Sequence, residues 1–393
     1  MVVFLILIES FILCYSLNKL KNKDLVYIFP AFFTFIHIYT YIGTKYFDFA
    51  EEIPFYYQIY NDYSFLQSGV LICSAVCFFI VGILFSKRYP IKWNNVNLEF
   101  KIPYCISIII ILFSIFISFL AFDFNELLYR QKYVTNETHR VLVILFKVLS
   151  PISSFLCGFI RNKYLKYNFL FLILSVPFSL NSRIISLDLM MFYIGSVLCF
   201  KRGFLYKSII IFSVIFFSIS PLILRGMSEQ GFIYNILNLS YIFDISLDVF
   251  FRGVNYVTSF SVYEMEYALE QKLSGTDAFL ISINPLPSSY LNVQPLYDQA
   301  MVNAFSPVPG IVMVYREGIG YHILFYFLCG FLFHWMLKAS ENHPVYIIFV
   351  SFFCGFVFMN SQYILRESVR LLYYCLIISL FMFFWNRTIK RIK

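Results

Sequence analysis

The sequence predicts an all-α fold, a polytopic transmembrane helical bundle of about eleven spans with one large outer loop containing short helices. Three observations carry that prediction. Sixty per cent of the 393 residues are hydrophobic and only 13% are charged. Apolar runs recur along the chain, most of them long enough to cross a hydrocarbon core about 30 Å thick. Lys and Arg gather in alternate short connections between those runs, the pattern that fixes a membrane orientation.

The spans fall at 2–17, 25–43, 66–86, 102–121, 141–160, 167–180, 184–200, 204–224, 318–337, 345–360 and 369–385. The first, apolar from its start and followed by a basic loop and further spans, reads as a retained helix and not as a cleaved leader. Lys19, Lys21 and Lys23 are held inside, as are Lys87, Arg88 and Lys92, and then Arg161, Lys163 and Lys166. The same side receives Lys201, Arg202, Lys207 and the tail cations Arg387, Lys390, Arg391 and Lys393. The amino terminus is therefore expected outside and the carboxyl terminus inside. Charge also settles the short halves of 167–200, because one kinked crossing would put Lys201, Lys207 and the basic tail outside. Two crossings joined by a tight outward turn at Asn181, Ser182 and Arg183 are expected instead.

Three regions follow: eight spans over 1–224, a large outer loop over 225–317, and three spans with a basic cytoplasmic tail over 318–393. A structureless loop of that length is uncommon in a compact protein, so short interfacial helices are expected within it. Val254, Val257, Phe260, Met265 and Ala268, with Glu264, Glu266 and Glu270 interleaved, fit one amphipathic helix. Asn284-Pro285-Leu286-Pro287 and Ser306-Pro307-Val308-Pro309-Gly310 break regular structure after it.

The net charge of +8 is accounted for by loops that face anionic lipid, so the bilayer and not a nucleic acid is the implied partner. His37, His139, His322, His334 and His343 show no ligand spacing, and the nine Cys lie in or beside apolar runs. Neither a metal site nor a disulfide is expected. The sequence has no Gly-rich phosphate loop or nucleophile elbow, which argues against soluble nucleotide-using chemistry and implies no cofactor.

Cations expected on the outer side are the candidates for function. Arg140 and Lys147 lie seven residues apart, on nearly the same helix face. Arg366 and Arg370 are one turn apart at the outer start of the last span. Arg183 occupies the tight outer turn, Arg225 and Arg316 mark the ends of the large loop, and Arg252 lies inside it. Ionisable groups at membrane depth are costly unless they line a cavity or meet a partner, and planar Arg suits bidentate phosphate binding. Each cation is alternatively a snorkelling headgroup contact or half of an ion pair. Asp188, just after Arg183, and Glu317, beside Arg316, read either as a base or as counter-ions.

The order of these features resembles the bacterial O-antigen and capsule repeat-unit polymerases, polytopic inner-membrane glycosyltransferases, over most of the chain. The resemblance is carried by the Asn181-Ser182-Arg183 turn between short spans and by the long outer loop with Asn284-Pro285-Leu286-Pro287. It is carried further by Phe305-Ser306-Pro307 through Tyr315-Arg316-Glu317-Gly318-Ile319-Gly320, and by Arg366-Glu367-Ser368-Val369-Arg370. It implies a metal-independent enzyme of the cytoplasmic membrane that joins polyprenyl-diphosphate-linked oligosaccharide repeat units, assisted by a chain-length regulator. Under it, Arg183, Arg225, Arg316, Arg366 and Arg370 handle the diphosphate leaving group, and Arg252 contacts glycan or phosphate. An acceptor hydroxyl attacks the anomeric carbon with inversion, Glu317 or Asp188 acting as base. Two rivals remain. An O-antigen ligase usually carries a functional His in its outer loop, and 225–305 contains none. A lipid-linked oligosaccharide flippase would need little outer domain and more charge deep in its core.

Overall fold

The computed structural model describes residues 2–46, 62–89, 104–130, 140–182, 184–199, 203–225, 228–239, 247–302, 306–341, 343 and 345–392. In chain order its helices are α1 (Val2–Lys21), α2 (Ile28–Tyr46), α3 (Asp62–Ser86), α4 (Tyr104–Leu120), α5 (Phe124–Leu128) and α6 (Arg140–Phe159). There follow α7 (Lys163–Ser179), α8 (Ile184–Cys199), α9 (Phe204–Arg225), α10 (Phe232–Leu237), α11 (Leu247–Glu270) and α12 (Thr276–Ile283). The last are α13 (Gln294–Gln299), α14 (Gly310–Arg316), α15 (Ile319–Ser340), α16 (Tyr346–Gln362) and α17 (Leu365–Ile392). Among the described residues β-structure is limited to two isolated bridges.

A helix therefore covers each apolar run. Six are long and apolar enough to cross a membrane: α1, α2 with the 3-10 turn before it, α3, α6, α9 and α15. Shorter apolar helices occupy most of α4 and α8 and all of α16. The chain is an all-α membrane protein, as backbone hydrogen bonding in hydrocarbon requires of a protein without a closed barrel.

Two compact units make up the fold, one of residues 1–99 with 258–393, the other of 100–257. In the first, α3 and α15 run parallel. Ser74 Oγ lies 3.0 Å from His322 Nε2, and Ser86 Oγ lies 3.0 Å from His334 Nδ1. Both bonds join residues 248 apart, so the two helices stay in register over three turns. Small residues let them touch: a Cβ on Gly82 would meet the Phe327 carbonyl oxygen at 2.1 Å, and one on Gly330 would meet that of Phe79 at 2.0 Å. Asn360 Nδ2 donates to Tyr326 Oη at 2.8 Å, and the Phe333 and Phe353 rings lie 4.9 Å apart, so α16 returns antiparallel to α15.

Lys87, just beyond α3, sits 3.9 Å from Asp24 and over the Tyr27 ring. Lys19 and Lys338 act on the same carboxylate, so α1, α3 and α15 end together at a basic pole. Burial raises the Asp24 carboxyl, and the Lys87 and Lys338 charges draw it back. The return of α16 then puts the start of α17, with Arg366 and Arg370, at the opposite pole.

The second unit repeats the device. Ser150 of α6 donates to Asp188 of α8 at 2.5 Å, while Gly158 and Gly195 bring the same helices into backbone contact further along. These pairings make α6 and α8 parallel, so α7 must travel back between them. The chain thus reverses where a turn at Asn181, Ser182 and Arg183 was expected, with Asn181 at φ 50° in the left-handed region and Arg183 outside the described residues.

One expectation fails. Residues 254–270 do form a helix, within α11, but Glu264 and Glu266 are fully buried, and from Ser259 onward only Tyr267 and Glu270 are not. It is a packed core element and not an amphipathic surface helix.

Gly330→Val should lower stability by about 3 kcal/mol, the upper end for overpacking, because backbone and not a flexible side chain blocks the new group. Thermal unfolding in detergent checks this, with Gly320→Val as the control: a Cβ there meets nothing within 4 Å.

Candidate functional site

The expected site residues, cations and acids alike, divide between the units. Arg316, Glu317, Arg366 and Arg370 belong to the first, and Arg140, Lys147, Asp188, Arg225 and Arg252 to the second. Arg183 lies outside the described residues. Arg140 opens α6, Arg225 closes α9, and Arg252 lies within α11.

In the first unit the segment around α12 and the Pro-rich turn after it is held by guanidinium groups. Arg366, one residue into α17, is only 3% exposed. Its Nη1 donates to the carbonyls of Ile281 and Asn284, and its Nη2 to that of Leu286 at 2.6 Å. Ile281 O also accepts the capping N–H of Asn284 at 3.4 Å, and the other two oxygens lie at the cap of α12 and in the Pro-rich turn after it, where a cation is favoured. The Tyr373 hydroxyl, two turns on, donates to Ile283 O. Arg370 Nη2 donates to Ser288 Oγ at 2.8 Å, and its side chain is half-exposed. Arg316 does for α11 what Arg366 does for α12, donating to the Ala268 and Leu269 carbonyls at that helix's end. Burial lowers the Arg316 pKa, and the neighbouring Tyr315 draws it back. Glu317 is half-exposed at the end of α14.

A second constellation in this unit went unread in the sequence. Glu9 of α1 accepts from or donates to His37 Nδ1 of α2 at 2.7 Å, and both are fully buried. His37 Nε2 lies 3.4 Å from Ser68 Oγ of α3, which donates to Glu266 Oε1 of α11 at 3.1 Å. Four helices are thereby joined by one polar chain. Burial pushes the Glu266 carboxyl up to about 8, against the pull of the Ser68 hydroxyl. An acid in the first apolar run and a His in the second were the available signal, since intramembrane ionisable groups face partners.

In the second unit Asp188 is fully buried, its Oδ2 on Ser150, and its Oδ1 has no hydrogen bond among the described residues. Lys147 is exposed on α6. Pro151, having no N–H, leaves the Lys147 carbonyl without its helix bond. The turn that carries Arg183 is held by buried amides: Asn181 Nδ2 donates to Gln230 Oε1 at 3.1 Å, and Asn235 Nδ2 to Asn181 Oδ1 at 2.8 Å. Arg130 is buried and its Nη2 donates to Gln230 Oε1 at 3.3 Å. Among the described residues no group of three or more His, Cys, Asp or Glu could hold a metal ion.

No protein-family model, curated protein or solved structure matches the chain. What the geometry itself dictates is a structural duty for Arg366. Arg366→Ala should cost about 3 kcal/mol by stranding the Asn284 and Leu286 carbonyls and weakening the hold on Ile281 O, and Arg366→Lys should recover only part of it. Hydrogen exchange across 279–291 should accelerate in the Ala variant; unchanged protection would contradict the assignment.

Proposed function

We propose that the protein is a membrane glycosyltransferase that polymerises polyprenyl-diphosphate-linked oligosaccharide repeat units into O-antigen or capsular polysaccharide. The supporting observation is the pair of guanidinium groups one turn apart on α17, set against the Pro-rich outer turn. Arg366 spends its donors on that turn. Arg370 makes a single hydrogen bond among the described residues and keeps most of its five donors for a ligand. A diphosphate leaving group gathers negative charge as the glycosidic bond forms, and a fixed, partly desolvated cation stabilises it without a metal.

On this reading the chain makes eleven crossings of the cytoplasmic membrane. The basic pole of Lys19, Lys87 and Lys338 faces the cytoplasm, and the Arg316, Arg366 and Arg370 pole faces out, as the positive-inside bias favours. The amino terminus is outside and the carboxyl terminus inside. Arg140, Lys147, Arg183, Arg225 and Arg252 remain proposed contacts for the glycan or diphosphate, Glu317 and Asp188 proposed bases, and a chain-length regulator a proposed partner. Of the two acids, half-exposed Glu317 is the better placed to meet a sugar hydroxyl.

A carrier for the same lipid-linked glycan is the second reading, favoured by the ionisable groups buried among Glu9, His37, Glu266 and Asp188. Deleting the gene separates them. Loss of a polymerase leaves single repeat units on the surface, loss of a flippase removes surface glycan, and loss of a ligase leaves polymer on the carrier lipid. In the deletion strain, Arg370→Ala should restore membrane accumulation while reducing long chains at least about tenfold on a sizing gel, the loss of one charge-assisted contact. A wild-type ladder from that variant would remove Arg370 from the site.

A further inference from the structure

The chain of Glu9, His37, Ser68 and Glu266 has three properties that structural pairing alone does not call for. Every member is at most 1% exposed, so water supplies none of its partners. Its two ends are both carboxyl groups, so no fixed cation neutralises it and its charge balance requires protons. Each end also keeps one free oxygen: Glu9 Oε1 and Glu266 Oε2 have no hydrogen bond among the described residues. We infer that these four side chains form a proton-transfer chain that moves one proton between the Glu9 carboxyl on α1 and the Glu266 carboxyl on α11. The inference goes beyond the polymerase reading and stands whether or not that reading holds.

The step balances within the side chains present. At the start Glu9 is a carboxylic acid, His37 is neutral with its proton on Nε2, and Glu266 is a carboxylate. The Glu9 proton moves to Nδ1, the Nε2 proton moves to Ser68 Oγ, and the Ser68 hydroxyl proton moves to Glu266 Oε1. At the end Glu9 is a carboxylate, His37 carries its proton on Nδ1, Ser68 is again a hydroxyl, and Glu266 is the acid. One proton has crossed, three hydrogen bonds have reversed, and the charge inside has moved from α11 to α1. Imidazole is suited to this because its two nitrogens exchange donor and acceptor roles.

The surroundings hold the chain in line. A Cβ on Gly69 would fall 2.6 Å from His37 Cε1, and the Phe65 ring packs 5.1 Å from the imidazole. Ser68 Oγ also reaches the Phe65 carbonyl at 3.1 Å, which gives its hydroxyl a resting acceptor between transfers. The 3.4 Å step from His37 to Ser68 is the longest, so Ser68 is where the chain is most easily broken. Cys73 on α3 faces Glu9, and Glu270 acts on Glu266 along α11. Tyr263, beside the chain, bonds Thr44 of α2 at 2.7 Å and fixes α11 against it.

The test is infrared spectroscopy of the carboxylic C=O stretch on purified full-length protein in lipid nanodiscs. The Glu9 band is identified as what Glu9→Gln removes. Glu266→Gln should then change the amplitude of that band at least about twofold in the wild-type background and leave it unchanged beside Ser68→Ala, which breaks the chain but not the electrostatics. An unchanged Glu9 band in the wild-type background would overturn the proposal, and so would an equal change beside Ser68→Ala. If Ser68→Ala does not accumulate, His37→Gln breaks the chain at its other joint and is read by the same two outcomes.

Discussion

The structure depends on one constraint: an ionisable or hydrogen-bonding group inside an apolar bundle must find its partner within the bundle. Nearly every long-range polar contact in the first unit obeys it by joining different helices. His322 and His334 meet Ser74 and Ser86, Glu9 meets His37, Glu266 meets Ser68, and Arg366 meets three carbonyls. Lipid offers no hydrophobic drive between such helices, so these bonds and the close backbone contacts at Gly82 and Gly330 fix which helix lies beside which.

The same constraint explains why cations chosen on functional grounds turn out to build the fold. A guanidinium at the edge of the bundle has five donors, and helix ends expose carbonyls that water cannot reach. Arg316 and Arg366 answer that need at the ends of α11 and α12. Arg370 does not: its one hydrogen bond among the described residues is to the Ser288 hydroxyl. Anchoring by Arg366 also sets the position of Arg370, one turn away on the same rigid helix.

The helices were legible because apolar length and the placement of Lys and Arg are local properties. The reversal at Asn181 was legible for the same reason, since one crossing would have misplaced every later cation. Burial of α11 was not legible: Glu264 and Glu266 carry the composition of a wet face, and only their tertiary surroundings put them inside. The His residues were searched for metal-ligand spacing along the chain, whereas their partners lie on other helices, 28 residues away for His37 and 248 for His322 and His334. Glu9 carried a readable signal, an acid in an apolar run, that spacing within one segment could not use. Arg366 was singled out as a phosphate-binding candidate, and a sequence does not say whether a buried cation holds a ligand or the backbone.

The outer segment that α14 and α17 hold is the centre of the account, because a lipid-linked glycan and a basic cytoplasmic pole require that segment to face out. Labelling with a membrane-impermeant maleimide on intact cells, with the native Cys replaced, tests this at Leu286→Cys and Tyr290→Cys, both exposed beside the Arg366 contact, and at Arg88→Cys. The account predicts modification at 286 and 290 and protection at 88 until the cells are opened. Protection at 286 and 290 with modification at 88 would contradict it.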